Sequence, residues 1–346
     1  MQNSRSDSDG AGNGSKGTAM KQNLDIDTSL TVQLMGSYLK DLLAGRKNNG
    51  LLLGFSGGID SALLATLAIG AVGKDAVHLS FLYDRDTAGS TEEKARMMAD
   101  WLGVDLEVTD ISPAMEAQKV YAPPVMRLVS CSARFNRMFQ HCYRLVIGET
   151  PFKTTLRVGS GLPEHSWLKR FMFNRSIRYI EQGFSARHRY RRRILEEKAA
   201  KENLVLIGAA NRSELEVGWF VKDGIDDLPI QPMIGLYKTQ LRQLASYLGL
   251  PDTIRTQHPS PDMLLGITDE FAIGYSYGRL DLILDLLEQQ LPVAEMVRCG
   301  VTAAEINDVR EIMQFSEWKR ASGHESPPVQ GGIRGNVRLT NLNRAS

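Results

Sequence analysis

The segment that most restricts this chain is a wholly apolar run, Leu51-Leu52-Leu53-Gly54-Phe55, followed at once by Ser56-Gly57-Gly58-Ile59-Asp60-Ser61. Five apolar residues bounded by glycine read as a strand covered on both faces, which requires a parallel sheet with helices on either side. The glycine turn opens a helix read from Ser61 to Ile69. Glycines let a backbone approach an oxyanion closely, their N–H groups can point into one concavity, and the helix adds its positive end. Ser56 and Ser61 add hydroxyl donors. Asp60 beside bound phosphate is costly unless a cation sits between them, and magnesium is the expected one. Neither GxxxxGK[ST] nor GxGxxG is present, so kinase-type and dehydrogenase-type loops are excluded. The plainer alternative is a glycine-rich turn that binds nothing.

The rhythm on either side agrees. Residues 30–44 carry apolar side chains at helical spacing. Strands are read at 76–83, 104–111 and 204–209. Helices are read at 91–102, with Thr91 as its cap, at 185–201, from Arg212, and at 237–248, closed by Pro251. A final helical pair occupies 269–291 and 302–316. This alternation implies an α/β fold, a doubly wound parallel sheet flanked by helices. Residues 1–28 and 321–346 are rich in small and polar residues and read as tails around a single domain at 29–320. Residues 112–182 break the pattern. They are longer than an ordinary connection and read as a lid, an interface or a disordered excursion.

Composition narrows the class. A net charge of +1 gives no whole-chain case for nucleic acid. Three cysteines (Cys131, Cys142, Cys299) without CxxC spacing argue against a zinc ribbon or redox pair and fit reduced thiols in a cytoplasmic protein. No run approaches the roughly 20 apolar residues of a membrane span. Lys169–Arg193 is strongly basic with interleaved aromatics. It reads better as a solvated helix face and anion site, paired with Glu181, Glu196 and Glu197, than as an RNA surface.

Taken together, the motifs resemble those of the NAD synthetase family, ammonia-dependent type, within the N-type ATP pyrophosphatases. Ser56–Ser61 resembles the pyrophosphate loop of that group. Gly208-Ala209-Ala210-Asn211-Arg212-Ser213-Glu214 resembles GTGNKSE, Leu236–Gln240 matches LYKTQ, and Pro259-Ser260 with Gly266–Glu270 resembles PS…GQTDE. Ser316–Arg320 resembles SEHKR, and Gly183–Arg189 resembles GNxxARxR. The resemblance implies an ATP-dependent, AMP-forming carbon–nitrogen ligase. A carboxylate, deamido-NAD in the family, would attack the α-phosphorus of ATP, and ammonia would then displace AMP.

The resemblance also implies site residues. Ser56, Gly57, Gly58, Ile59, Asp60 and Ser61 would hold the ATP phosphates, with Arg187, Lys238 and Ser260 also on ATP. Asp60 and Glu214 would be the metal carboxylates, and Asp60, Glu214 and Lys238 the catalytic set. Lys222, Asp226, Asp227 and Lys319 would lie on the acceptor side. A homodimer is implied as well. No amidase domain fits in the chain, so nitrogen would come from free ammonia or a partner subunit. The sequence departs from the family at Ala209, Phe184, Ile225, Trp318 and 112–182, all on the acceptor side. That motivates an alternative ligase acting on another carboxylate. A tRNA-modifying enzyme and a non-catalytic nucleotide-binding protein are weaker alternatives.

Overall fold

The computed structural model describes residues 24–161, 166–260, 265–321 and 323–329. The chain enters through α1 (Thr28–Arg46), β1 (Gly50–Gly54), α2 (Ile59–Val72), β2 (Val77–Tyr83), α3 (Gly89–Leu102) and β3 (Leu106–Asp110). A helical stretch follows: α4 (Ser112–Ala117), α5 (Pro124–Cys131), α6 (Ala133–Ile147), α7 (Pro151–Gly159), α8 (Trp167–Met172) and the long α9 (Arg178–Glu202). Then come β4 (Leu204–Ile207), α10 (Arg212–Val217), α11 (Lys238–Tyr247) and α12 (Asp252–Arg255). The last described helices are α13 (Asp269–Ile273), α14 (Tyr277–Glu288), α15 (Val293–Arg298) and α16 (Ala303–Ser316).

The four strands form one sheet in the order β3-β2-β1-β4, with every pair parallel. The apolar run of β1 explains why the sheet is covered twice. Leu51, Leu53 and Phe55 pack with α1, α2 and α11, whereas Leu52 points the other way into a cluster with Leu195 and Ala199 of α9. Leu51, Leu52 and Leu53 are at most 1% exposed. Burial of each leucine stabilises by about 1.5–3 kcal/mol. A further apolar cluster joins α10, α14 and α16 and includes Phe152 and Leu156 of α7.

Several expectations change in detail. Thr91 does not cap α3: the helix starts at Gly89 after Ala88, and Thr91 N–H donates to Ala88 O at 2.9 Å. Gly89 and Ser90 continue the turn at no steric cost, so the cap falls upstream. The span 269–291 is broken at Gly274, at φ 100°, into α13 and α14, and α14 ends at Glu288. Pro251 precedes α12 rather than merely closing α11.

The expected tails are shorter on both sides. Leu24 O accepts from Gln243 Nε2 at 2.9 Å, and Asp27 caps α1. At the other end, Glu325 bridges to Ile230, and Val329 is 2% exposed in the core beneath the sheet. Residues 1–23 and 330–346 lie outside the described residues. The described part of 112–182 is helical rather than a disordered excursion. Its α7 is bolted to α16 by Lys153, which reaches Asp308 at 2.5 Å and Glu311 at 2.7 Å.

Candidate active site

A cleft of about 320 Å3 opens at the C-terminal ends of β1, β2 and β4, lined among others by Phe55, Ser56, Asp60, Ser61, Ser80, Leu82, Gly208, Ala209 and Glu214. That is where parallel α/β sheets present ligand sites, and the size is adequate for a small-molecule cleft.

The loop after β1 is shaped by its glycines. Gly57 has φ 72°, and a Cβ there would meet the backbone of Ala95 at 2.7–2.8 Å. Only glycine satisfies both the conformation and the contact with α3. Gly58 sits at the N-cap of α2 with no side-chain cap, which leaves first-turn amides to an anion. Ser56 Oγ accepts from Gly58 N–H at 3.2 Å and lies 3.2 Å from Ser61 Oγ, so both hydroxyls sit at one place. Ile59 is a core residue, 5% exposed, and anchors the loop from below.

Across the cleft, Lys238 brings the acidic residues together. Its Nζ lies 2.5 Å from Asp60 Oδ2 and 3.3 Å from Glu214 Oε1. The residue is 1% exposed although it opens α11 on a stretch whose local pattern is compatible with solvent. Two devices fix it. Asp281, fully buried, accepts from Ser213 Oγ at 2.5 Å and from Thr239 N–H at 2.8 Å. Ser213 Oγ in turn accepts from Lys238 N–H at 2.8 Å. Glu214 is placed by Asn211, which caps α10 and accepts from Glu214 N–H at 3.1 Å. Tyr277, fully buried, donates toward Glu214 Oε1 and Asp269 Oδ2, each at 3.3 Å.

Three carboxylates thus surround one ammonium. Burial raises Glu214 well above the usual carboxylate range, with Lys238 opposing and Asp60 and Asp269 reinforcing. Burial likewise raises Asp269 to about 6, against the pull of Lys238. Burial would lower Lys238, but Asp60, Glu214 and Asp269 outweigh it and raise it. Asp60 Oδ1 is buried with no hydrogen-bond partner among the described residues. Excess negative charge and an orphaned carboxylate oxygen suit a hard divalent cation. Among the described residues no three His, Cys, Asp or Glu side chains form a metal cage by themselves. The cation would therefore need substrate oxygens and water as well, as magnesium usually does.

The other expected positions divide. Ser260 lies at the rim, its hydroxyl donating to Ile267 O at 3.1 Å; residues 261–264 beside it lie outside the described residues. Arg187 is not in the cleft. It is fully buried and clamps Asp84 Oδ2 at 2.6 Å and Asp86 on the turn after β2, while its Nη1 is buried with no hydrogen-bond partner among the described residues. Lys222 is also drawn away, donating to Trp318 O at 2.9 Å. Of the two adjacent aspartates, Asp226 faces the cleft and lies 2.7 Å from His188; burial would raise it, but His188 and Arg191 outweigh burial and hold it below its usual range. Asp227 is buried instead, accepting from Asp223 N–H and contacting His324, each at 2.9 Å. Lys319 lines the cleft, but its ammonium donates to Gly218 O at 2.9 Å and Phe220 O at 2.5 Å, and burial lowers it.

The basic helix α9 spends much of its charge locally. Arg192 and Arg193 pair with Glu196 and Glu197 one turn on, as expected, whereas Glu181 faces the cleft near Lys319. Asp269, Tyr277, Asn211 and His188 join the site beyond the residues expected from the sequence. Asp269 was within reach, since it stands in the Gly266–Glu270 motif. Asn211 and His188 likewise stand in the Gly208–Glu214 and Gly183–Arg189 motifs, whereas Tyr277 carries no local signal.

The parallel sheet, the glycine loop and the facing carboxylate–lysine cluster define the α/β fold of the ATP pyrophosphatases. Comparison with known proteins carries this further. The NAD synthase family model matches residues 31–138 and 173–323, and the chain belongs to that family. The chain is 33% identical to the NH(3)-dependent NAD(+) synthetase of Coprothermobacter proteolyticus, over 74% of this chain and 84% of that protein. It is 31% identical to the enzyme of the same description from Thermotoga maritima, over 81% and 93%. Among solved structures, an NMN synthetase from Francisella tularensis superposes with a TM-score of 0.60 at 22% identity, covering 86% of this chain and 97% of that one. The NH3-dependent NAD synthetase of Campylobacter jejuni superposes at 0.57 with 19% identity, over 85% and 96%. These two likenesses establish the fold.

Proposed function

We propose that this chain forms NAD from deamido-NAD, ATP and ammonia, releasing AMP and pyrophosphate. The observation that carries the reading is the convergence of Asp60, Glu214 and Lys238 on the mouth of the Ser56–Ser61 loop, in a chain of the NAD synthase family. The acceptor carboxylate attacks the α-phosphorus and pyrophosphate leaves. Ammonia then attacks the acyl carbon of the adenylate, AMP departs, and the extra proton of nitrogen is lost to solvent. Ser56, Ser61 and the first-turn amides of α2 bind the leaving pyrophosphate. Lys238 supplies a fixed, desolvated positive charge beside it, which is worth more there than in water. Asp60 and Glu214 would hold magnesium, which would neutralise phosphate charge. Asp269 and Tyr277 orient Glu214. Lining the far end, Phe184, Glu181, His188 and Asp226 would receive the rest of the acceptor.

Free ammonia, or ammonia from a separate supplying subunit, serves as the nitrogen donor, as in the NH(3)-dependent relatives. A homodimer is the expected assembly. The test is incubation with ATP, magnesium, ammonium and deamido-NAD, following NAD, AMP and pyrophosphate together. Equal yields of all three support the reading. ATP cleavage without NAD, or none, would refute it. A second reading keeps the chemistry with another carboxylate. It is favoured by Ala209, Phe184 and Ile225, which line the cleft where the family has polar groups. A screen of carboxylates for pyrophosphate release separates the two.

A further inference from the structure

The family match stops at residue 138 and resumes at residue 173. The chain between includes α7, and α7 is not peripheral. Its Phe152 lines the cleft and is 8% exposed. The ring meets Trp219 edge-on, with centroids 4.8 Å apart and planes at 83°. Trp219 also lines the cleft, as does Asp269 of the carboxylate cluster.

The helix carrying these groups is held at three points. Lys153 makes its two ion pairs to α16. Leu156, fully buried, accepts from Trp318 Nε1 at 3.3 Å through its carbonyl. Gly159 lies so close to the Trp318 indole that a Cβ would stand 2.3 Å from it. The tryptophan that departs from the family motif is therefore the seat on which the extra helix rests. The two departures are one feature.

We infer that the inserted helix is part of the acceptor site and that Phe152 determines which carboxylate fits there. Phe152 and Trp219 form an apolar wall next to the carboxylate cluster. It suits a flat aromatic ring that bears the reacting carboxylate, and it excludes bulkier or strongly polar groups at that point. This rests on the ligase reading given above. The chemistry of adenylation stays with the Ser56–Ser61 loop, so Phe152 acts on acceptor binding and not on ATP.

The experiment compares the parent with Phe152→Ala and Phe152→Leu, using steady-state kinetics with deamido-NAD, nicotinate mononucleotide and nicotinate as acceptors. Thermal melting checks the fold, and Phe152→Leu keeps most of the buried apolar volume should the alanine variant melt early. Loss of a ring contact in a fitted pocket is worth about ten- to a hundredfold. Phe152→Ala is expected to raise the acceptor KM by about that factor, with Phe152→Leu between, and to change the ranking of the three acceptors. The KM for ATP stays within about twofold. An unchanged acceptor KM and ranking in both variants overturns the inference, as does an equal rise in the ATP KM. Should the parent prefer another of these carboxylates, the proposed acceptor falls. The role of Phe152 is then read on the preferred one. Should the parent turn over none of them, direct binding of the three acceptors to parent and variants by calorimetry decides, and equal affinities overturn the inference.

Discussion

Replacement of Gly57 by alanine should unfold the loop more than it blocks the chemistry, whereas the same change at Gly58 should do the reverse. At Gly57 the backbone sits at φ 72°, and the new methyl would lie 2.7 Å from Ala95 N and 2.8 Å from Ala95 Cα. Left-handed alanine costs about 1–2 kcal/mol. Overlap with packed backbone adds about 1–3 kcal/mol. The stiffer unfolded chain returns about 0.4–1 kcal/mol. The net expectation is a loss of about 1–5 kcal/mol, centred near 3. Gly58 has an ordinary extended backbone, and a methyl there meets only Ser56 Oγ at 3.3 Å. Its stability should change by less than about 1 kcal/mol, but Ser56 must give way, so the ATP KM should rise. Urea denaturation with a pyrophosphate-release assay on both variants measures this. Equal stability losses at the two positions would refute the argument that α3 dictates Gly57.

Three further outcomes are expected. Asp60→Asn and Glu214→Gln should each lower kcat by about a hundredfold or more, as loss of charge placement at a phosphoryl centre does, while the fold melts normally; near-parent turnover in either would remove that residue from the catalytic set. In the ligand-free chain with chelator, Asp269 is raised from 3.8 to about 6 by burial, so its stabilising contribution is complete below about pH 3.8 and is lost as pH rises to about 6. Asp269→Asn should therefore gain up to about 3 kcal/mol at pH 8 and little near pH 4, and a gain independent of pH in denaturation curves would contradict this. Trp318→Ala should loosen α7, costing about 3 kcal/mol and speeding hydrogen exchange across Pro151–Gly159, with exchange in β1 slowed or sped only in proportion to global stability.

The parts of the fold legible in the sequence are those set by local chemistry. The apolar run of β1 and the glycine turn announce a buried parallel strand and a tight turn into a helix, and both stand where they were read. Lys238 and Glu214 were legible only through their motifs. Their meeting with Asp60 depends on chain segments far apart in sequence, and periodicity alone leaves Lys238 on a solvated face. Arg187 shows the opposite case. Its motif points to ATP, but Asp84 and Asp86, about a hundred residues earlier, claim its guanidinium. Nothing local distinguishes Asp226 from Asp227 either; the fold turns one into the cleft and the other toward His324. The inserted helices were the least legible, because α7 buries its apolar face against α16 and Trp318, partners set by tertiary packing.

The account rests on attack by the acceptor carboxylate at the α-phosphorus of ATP. Deamido-NAD labelled with oxygen-18 in its carboxylate tests this directly, with the products of one turnover separated by mass. The account predicts one labelled oxygen in AMP and none in pyrophosphate. Label in orthophosphate with ADP as co-product would place the attack at the γ-phosphorus and contradict it.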